Sequence, residues 1–208
     1  LDDAQTLDHL IAAGRVSRLD MVALGRKLSD FYSRAPVSDL LDSAAVWETV
    51  YKNCMENFRQ TRAFCGTVLN REMWETVKGA AFSFLKHNKA LFEKRAAAGR
   101  IRECHGDLRA EHIYLTDAGI QIIDCIEFND ALRHIDVISD LAFLLMDLDF
   151  KSHSGLGESI LDRFLEQSKD FEAMRLLSFY RCYRAMVRCK VSCLSLEQAA
   201  PETEQGIQ

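Results

Sequence analysis

The sequence predicts a mainly helical fold that contains one small β-hairpin. Apolar residues recur at three- and four-residue steps over most of the 208 residues, and only Pro36 and Pro201 are prolines. The pattern changes to β-rich runs at residues 112–116 and 120–123, which a glycine-containing turn joins. The length and an apolar fraction of 48% suit a single domain over residues 1–208.

The helices follow from their apolar stripes and their end signals. The first is predicted over residues 6–13. The second opens with a capping-box pattern, in which Ser17 and Asp20 cap each other's backbone, and runs to about residue 34 before Pro36. The same reasoning predicts further helices over residues 43–64, 70–98, 137–147, 157–168 and 171–194, followed by a polar tail over 197–208.

Composition excludes several classes of protein. The 26 basic and 31 acidic side chains give a net charge of −5, so no nucleic-acid partner is expected. Seven cysteines, an odd number set in apolar patterns, indicate reduced thiols in a cytoplasmic protein. We expect no membrane span, because no apolar run approaches 18 residues, and no signal peptide. A start at Leu1 instead of Met suggests a piece of a longer polypeptide.

The most informative motif is Cys-His-Gly-Asp-Leu-Arg-Ala-Glu-His-Ile over residues 104–113, followed by Ile-Ile-Asp at 122–124. It sets two acids, Asp107 and Asp124, on either side of the predicted hairpin. Phosphoryl transfer needs one carboxylate at the attacking hydroxyl and another that holds the magnesium ion on the phosphates. A pair of strands offers both a rigid support. The segment over about 101–128 is therefore the candidate catalytic hairpin.

This motif resembles the catalytic segment of the aminoglycoside phosphotransferases and choline kinases, which are small-molecule kinases with a protein-kinase-like fold. The resemblance implies that the chain forms the C-terminal, large lobe of that α+β fold, without its N-terminal lobe. The hundred residues before Asp107 show only helical patterns, with no glycine-rich strand or phosphate-binding loop. Residues 127–147 and the Tyr- and Arg-rich final helix most resemble an uncharacterised bacterial branch whose members are often fused to a P-loop ATPase domain.

The resemblance also implies roles for the site residues. Asp107 is the catalytic carboxylate that acts as base or orienter of the acceptor hydroxyl, and Asp124 holds Mg²⁺ against the phosphates of ATP. His105 orients the catalytic loop. His112 stands where the family usually has Asn, and it braces the loop and shares in cofactor binding. Glu127 is either a second metal carboxylate or the partner of Arg133 or Arg109 in a salt bridge.

A second set of residues is expected to support the loop. Asp140 matches a buried Asp of the family, and it needs several hydrogen-bond donors, which loop amides supply. Arg133 and Asp136 are expected in the same polar network. The basic residues of the last helix, Arg181, Arg184, Arg188 and Lys190, are open to two interpretations: an anion site or a solvated face.

The leading hypothesis is the catalytic lobe of an ATP- and Mg²⁺-dependent kinase that phosphorylates a hydroxyl of a small molecule. Its partners would be that acceptor, the missing N-terminal lobe and a fused P-loop ATPase domain. The alternative is a pseudokinase-like module that regulates or binds such an ATPase and transfers nothing. The sequence does not favour a zinc site built from Cys104, His105, His112 and Cys125, because the spacing fits no zinc-ligand pattern and adjacent Cys and His on a strand point to opposite faces. The sequence does not identify the acceptor.

Overall fold

The computed structural model describes residues 1–40 and 42–199, which form eight α-helices and four short β-strands. The helices are α1 (Leu7–Ala12), α2 (Arg18–Arg34), α3 (Ser43–Thr61), α4 (Arg71–His87), α5 (Lys89–Ala97), α6 (Val137–Phe150), α7 (Ser154–Ser168) and α8 (Met174–Ala199). The strands are β1 (Ile101–Glu103), β2 (Ile113–Thr116), β3 (Gly119–Ile122) and β4 (His134–Asp136). The prediction of a mainly helical fold is confirmed.

Helix ends follow the predicted signals in one case and depart from them in two. The capping box is present, since the Asp20 amide donates to Ser17 Oγ (3.2 Å) and the Ser17 amide to Asp20 Oδ2 (2.8 Å). The single helix predicted over 70–98 is wrong, because it breaks at Asn88, whose backbone and side-chain amides both donate to the Phe84 carbonyl. The last helix continues to Ala199, so the tail predicted over 197–208 is wrong for residues 197–199, and residues 200–208 lie outside the described residues.

The strands form two antiparallel pairs where the sequence predicts one. The predicted hairpin is β2–β3, with Ile113 opposite Ile122 and Thr116 opposite Gly119. The second pair, β1–β4, sets Ile101 opposite Asp136. Each of these two strands has three residues, too few to show alternation, and no short turn joins them. Single-sequence patterns therefore missed them.

Helix α6 forms the centre of the core. Eleven of its fourteen residues are buried, so its polar side chains Ser139, Asp140 and Asp147 need partners inside the protein. Helix α2 lies across α7 at close range. A Cβ at Gly25 would lie 2.6 Å from the Ile160 carbonyl oxygen, so only glycine fits at that crossing.

The sequence predicted reduced cysteines and no membrane span. All seven cysteines are free thiols, and four of them are buried. Within residues 1–40 and 42–199, no helix combines the length and apolar content that a bilayer crossing requires.

Candidate functional site

The loop of residues 104–112, which we call the central loop, connects β1 to β2 and carries most of the candidate site. Gly106 has φ +86°, and a Cβ there would lie 2.9 Å from the Leu132 carbonyl oxygen. Its backbone therefore needs both the left-handed freedom and the small size of glycine. The Cys104 amide donates to the Arg133 carbonyl (2.8 Å), which ties the start of the loop to the residue before β4.

Asp140 supports the central loop from α6. It is fully buried, and its carboxylate accepts hydrogen bonds from the amides of His105 (3.0 Å) and Gly106 (2.9 Å) and from the Tyr32 hydroxyl (2.9 Å). The burial and loop contacts predicted for Asp140 are confirmed. Burial and then the charge of Asp140 raise the pKa of Tyr32 well above its ordinary value, so the hydroxyl stays a donor.

His105 links the central loop to the end of the hairpin. Its Nδ1 accepts from the Asp107 amide (3.3 Å), so the ring proton belongs on Nε2, which donates to the Ile123 carbonyl (2.7 Å). The Ile126 amide in turn donates to the His105 carbonyl (3.0 Å). These bonds fix the position of the segment around Asp124 relative to Asp107.

Asp107 is held by a residue of its own loop. Arg109 binds both carboxylate oxygens, with Nε–Oδ1 at 3.0 Å and Nη2–Oδ2 at 2.8 Å, and it also pairs with Glu111. Burial would raise the pKa of Asp107, but the hydrogen bonds and charge of Arg109 outweigh it and lower that pKa. The sequence reasoning had named Arg109 only as a partner for Glu127 and missed this pair.

His112 lies between the two candidate acids. Its Nδ1 bonds to the Asp107 carbonyl oxygen at 2.8 Å and lies 3.9 Å from Asp107 Oδ2, while Nε2 lies 3.4 Å from Asp124 Oδ2. Because Nδ1 donates to a carbonyl, Nε2 carries the lone pair in the neutral ring, and it accepts from Arg109 Nη2 (3.3 Å). One imidazole thus lies within 4 Å of a carboxylate oxygen of Asp107 and of Asp124.

Asp124 leaves the hairpin in an unusual backbone conformation. Its φ of +64° lies in the left-handed region, and its side chain is 74% exposed. The neighbouring Ile123 amide donates to the His112 carbonyl (3.0 Å), so the backbone on which Asp124 stands is fixed to the central loop. The carboxylate is therefore presented to solvent from a supported position.

Asp147 is a further support that the sequence reasoning missed. It is buried on α6, two turns after Asp140, and accepts from the Ala110 amide (3.0 Å) in the turn that carries His112. Lys151 pairs with it (3.2 Å) and with Asp8 (2.6 Å). The i, i+7 spacing of Asp140 and Asp147 on one apolar helix was an available signal, since a buried acid requires partners.

Three residues do not have the partners that the sequence predicted: Glu127, Arg133 and Asp136. Glu127 is exposed and forms no ion pair in the described part of the chain, so the salt bridge to Arg133 or Arg109 is absent there. Arg133 pairs with Glu103 (3.0 Å) and Asp130 (2.9 Å).

Asp136 belongs to a buried cluster of its own. Both of its carboxylate oxygens bind Arg95, at 2.6 and 2.8 Å, and Arg95 also binds Asp170 at 2.9 Å. The expectation that Arg133 and Asp136 share the Asp140 network is therefore wrong, because each is satisfied by a different partner.

Asp124 could serve as a carboxylate ligand for Mg²⁺. No group of three or more His, Cys, Asp or Glu side chains within the described residues is arranged as a metal site. Mg²⁺ takes one or two protein carboxylates and fills its shell with water and phosphate oxygens, so the exposed Asp124 fits that requirement. The adjacent His112 Nε2 is a donor that suits softer ions better.

Three mycobacterial proteins are similar to this chain. An uncharacterized protein of Mycobacterium bovis and uncharacterized proteins from two strains of Mycobacterium tuberculosis are each 32% identical to it over 200 residues. The match covers 96% of this chain but 40% of each relative, so the chain spans about two fifths of their length. No family model matches the chain, and no solved structure does.

Proposed function

We propose that this chain is the catalytic lobe of an ATP- and Mg²⁺-dependent small-molecule kinase that transfers a phosphoryl group to a hydroxyl. The observation that carries the proposal is the contact of His112 with both Asp107 and Asp124. Phosphoryl transfer requires one carboxylate at the acceptor hydroxyl and another at the metal. Here the first would be on the central loop and the second at the end of the hairpin. The motif resemblance to aminoglycoside phosphotransferases and choline kinases supports the same assignment.

Asp107 would orient the acceptor hydroxyl. Its lowered pKa keeps it ionised, which suits a hydrogen-bond acceptor that positions the nucleophile and does not need to remove a proton early. An incoming hydroxyl would take one carboxylate oxygen from Arg109, whose guanidinium would then be free to stabilise negative charge on the transferring group.

Asp124 would hold Mg²⁺, and His112 Nε2, 3.4 Å from Asp124 Oδ2, would lie beside the metal. A metal bound there neutralises charge on the phosphates. His105 and Asp140 would hold the loop and the hairpin in fixed relative positions, since their hydrogen bonds join the segments that carry the two acids.

ATP itself would be gripped mainly by parts outside this chain. An N-terminal lobe with a phosphate-covering loop, and a fused P-loop ATPase domain, are both proposed partners. The mycobacterial relatives have three fifths of their length outside the match, which leaves room for both. A supply of ATP and seven free thiols are consistent with the cytoplasm as its compartment.

A second candidate function is a pseudokinase-like module that binds or regulates an ATPase. Two observations favour it: Arg109 occupies both oxygens of Asp107, and His112 replaces the usual Asn. Such a module would keep the fold and a surface that changes when nucleotide binds, but it would not transfer phosphate.

The experiment that separates the two uses the full reading frame containing this chain, with ATP labelled at the γ-phosphate. The kinase proposal predicts Mg²⁺-dependent binding of ATP and slow release of phosphate to water, accelerated by a hydroxyl acceptor. The Arg109→Ala variant removes the side chain that occupies both oxygens of Asp107. If wild type and variant both bind MgATP and transfer no phosphate, the kinase proposal is contradicted and the pseudokinase-like module is favoured. Absence of binding would contradict both.

A further inference from the structure

A cavity of about 350 Å³ opens beside Asp107. The central loop contributes Gly106, Asp107 and Arg109 to its wall, and α8 contributes three basic residues, Arg184, Arg188 and Lys190. Neither Asp124 nor His112 lines it. If Asp124 marks the nucleotide side of the site, this cavity is the acceptor side.

The charges in this cavity do not balance. Four cations line it against two carboxylates, Asp107 and Glu56. Both carboxylates already have partners, because Asp107 pairs with Arg109 and Glu56 binds Arg59 at 2.7 Å. Within residues 1–40 and 42–199, no carboxylate pairs with the three basic residues of α8 that line the cavity.

Burial makes that surplus costly. Arg184 is 6% exposed, and its two hydrogen bonds go to carbonyl oxygens, of Ser139 (3.2 Å) and Gly106 (3.0 Å). Burial also lowers the pKa of Lys190. Asn57, 2% exposed and part of the same wall, has a side-chain amide nitrogen with no hydrogen-bond partner in the described part of the chain. A buried guanidinium that has only neutral carbonyl partners and a buried donor that has none are unfavourable, and an anion in the cavity would offset that cost.

We infer that the acceptor of this site is an anionic hydroxyl compound, carrying a carboxylate or phosphate that the basic residues of α8 bind. The inference rests on the proposed kinase function and narrows its substrate class. Apolar side chains, among them Ile126, Leu132 and Val187, form the remaining wall and would contact the carbon skeleton. A cationic acceptor such as an aminoglycoside or choline would meet repulsion in the same cavity.

The test compares three hexose compounds that differ in charge: gluconate, glucose and glucosamine. Their binding to the full reading frame is measured by calorimetry at low salt without ATP. We expect gluconate to bind at least tenfold more tightly than glucose, with glucosamine weakest. Arg188→Gln and Lys190→Gln should each weaken gluconate about five- to tenfold and leave glucose unchanged. The control is Arg181→Gln, on the same helix but paired with Asp149 (3.2 Å) and outside the cavity.

Several results would overturn the inference. Equal affinities, no binding of any of the three, or tighter binding of glucosamine would each do so. Displacement of gluconate by MgADP would assign the cations to nucleotide phosphates instead. The kinase proposal has its own readout: phosphate transfer to glucosamine and not to gluconate would keep the kinase and reject the anionic acceptor. Anion binding without transfer to any hydroxyl would keep the anion site and reject the kinase.

Discussion

Arg109 holds both carboxylate oxygens of Asp107 from two residues away on the same loop, at 3.0 and 2.8 Å. The residue best suited to meet an acceptor is therefore already paired when no acceptor is bound. This pairing keeps Asp107 ionised and positioned, and it also covers the oxygens that an acceptor hydroxyl would use.

The Asp107–Arg109 pair should make stability depend on pH. The folded-state pKa of Asp107 is lowered, so the pair stabilises the protein above the unfolded pKa, near 3.9, and that stabilisation is lost as the pH falls through the folded pKa. Arg109→Gln should lower the free energy of unfolding at pH 7 by about 1 kcal/mol and by less at pH 3, where the stabilisation is already being lost. Urea unfolding at both values measures this. A difference that stayed constant with pH would contradict it.

Asp140 should be among the most sensitive positions for folding. Asp140→Ala leaves the His105 and Gly106 amides and the Tyr32 hydroxyl without an acceptor, which should cost about 2–4 kcal/mol. Tyr32→Phe is the matched control, because it removes one of the three bonds and leaves the loop amides paired. It should cost about 1 kcal/mol. Equal melting temperatures for Asp140→Ala and the wild type would be inconsistent with this role.

The buried cluster around Arg95 should fix the position of α5 relative to β4 and α8. Arg95 is 1% exposed and binds two buried acids, Asp136 and Asp170. Arg95→Met would remove the buried cation that both carboxylates bind, and it should cost about 3–5 kcal/mol. The control is Arg100→Met, whose contact with Asp170 is longer (3.6 Å) and more exposed, and which should cost under about 1 kcal/mol. Similar losses from both variants would argue against a special role for the cluster.

Local signals in the sequence predicted the features that short-range rules control. The capping box at Ser17 depends on residues three apart, and the hairpin depends on a single turn, so both follow from the chain order. The burial of Asp140 could be predicted because it matches a buried Asp of the family that the motif resembles, and a buried acid needs donors, which the neighbouring loop amides supply.

Long-range pairings could not be predicted in this way. Arg95 meets Asp136 and Asp170 across 41 and 75 residues, and no local pattern connects them. Arg109 is a different case: it is close to Asp107 in sequence, but whether it faces that acid or solvent depends on the loop backbone, which Gly106 and Asp140 determine. The basic side chains of α8 are equally ambiguous until the packing of that helix is known.

The most direct test of the kinase proposal separates the roles of its two acids in the full reading frame. Asp124→Asn is the suitable metal variant, because asparagine tolerates the positive φ at that position. Asp107→Asn should reduce phosphate transfer from ATP by at least a hundredfold and leave MgATP binding within about twofold, whereas Asp124→Asn should abolish Mg²⁺-dependent binding of ATP. Unchanged turnover in Asp107→Asn, or unchanged Mg²⁺-dependent binding in Asp124→Asn, would contradict the account.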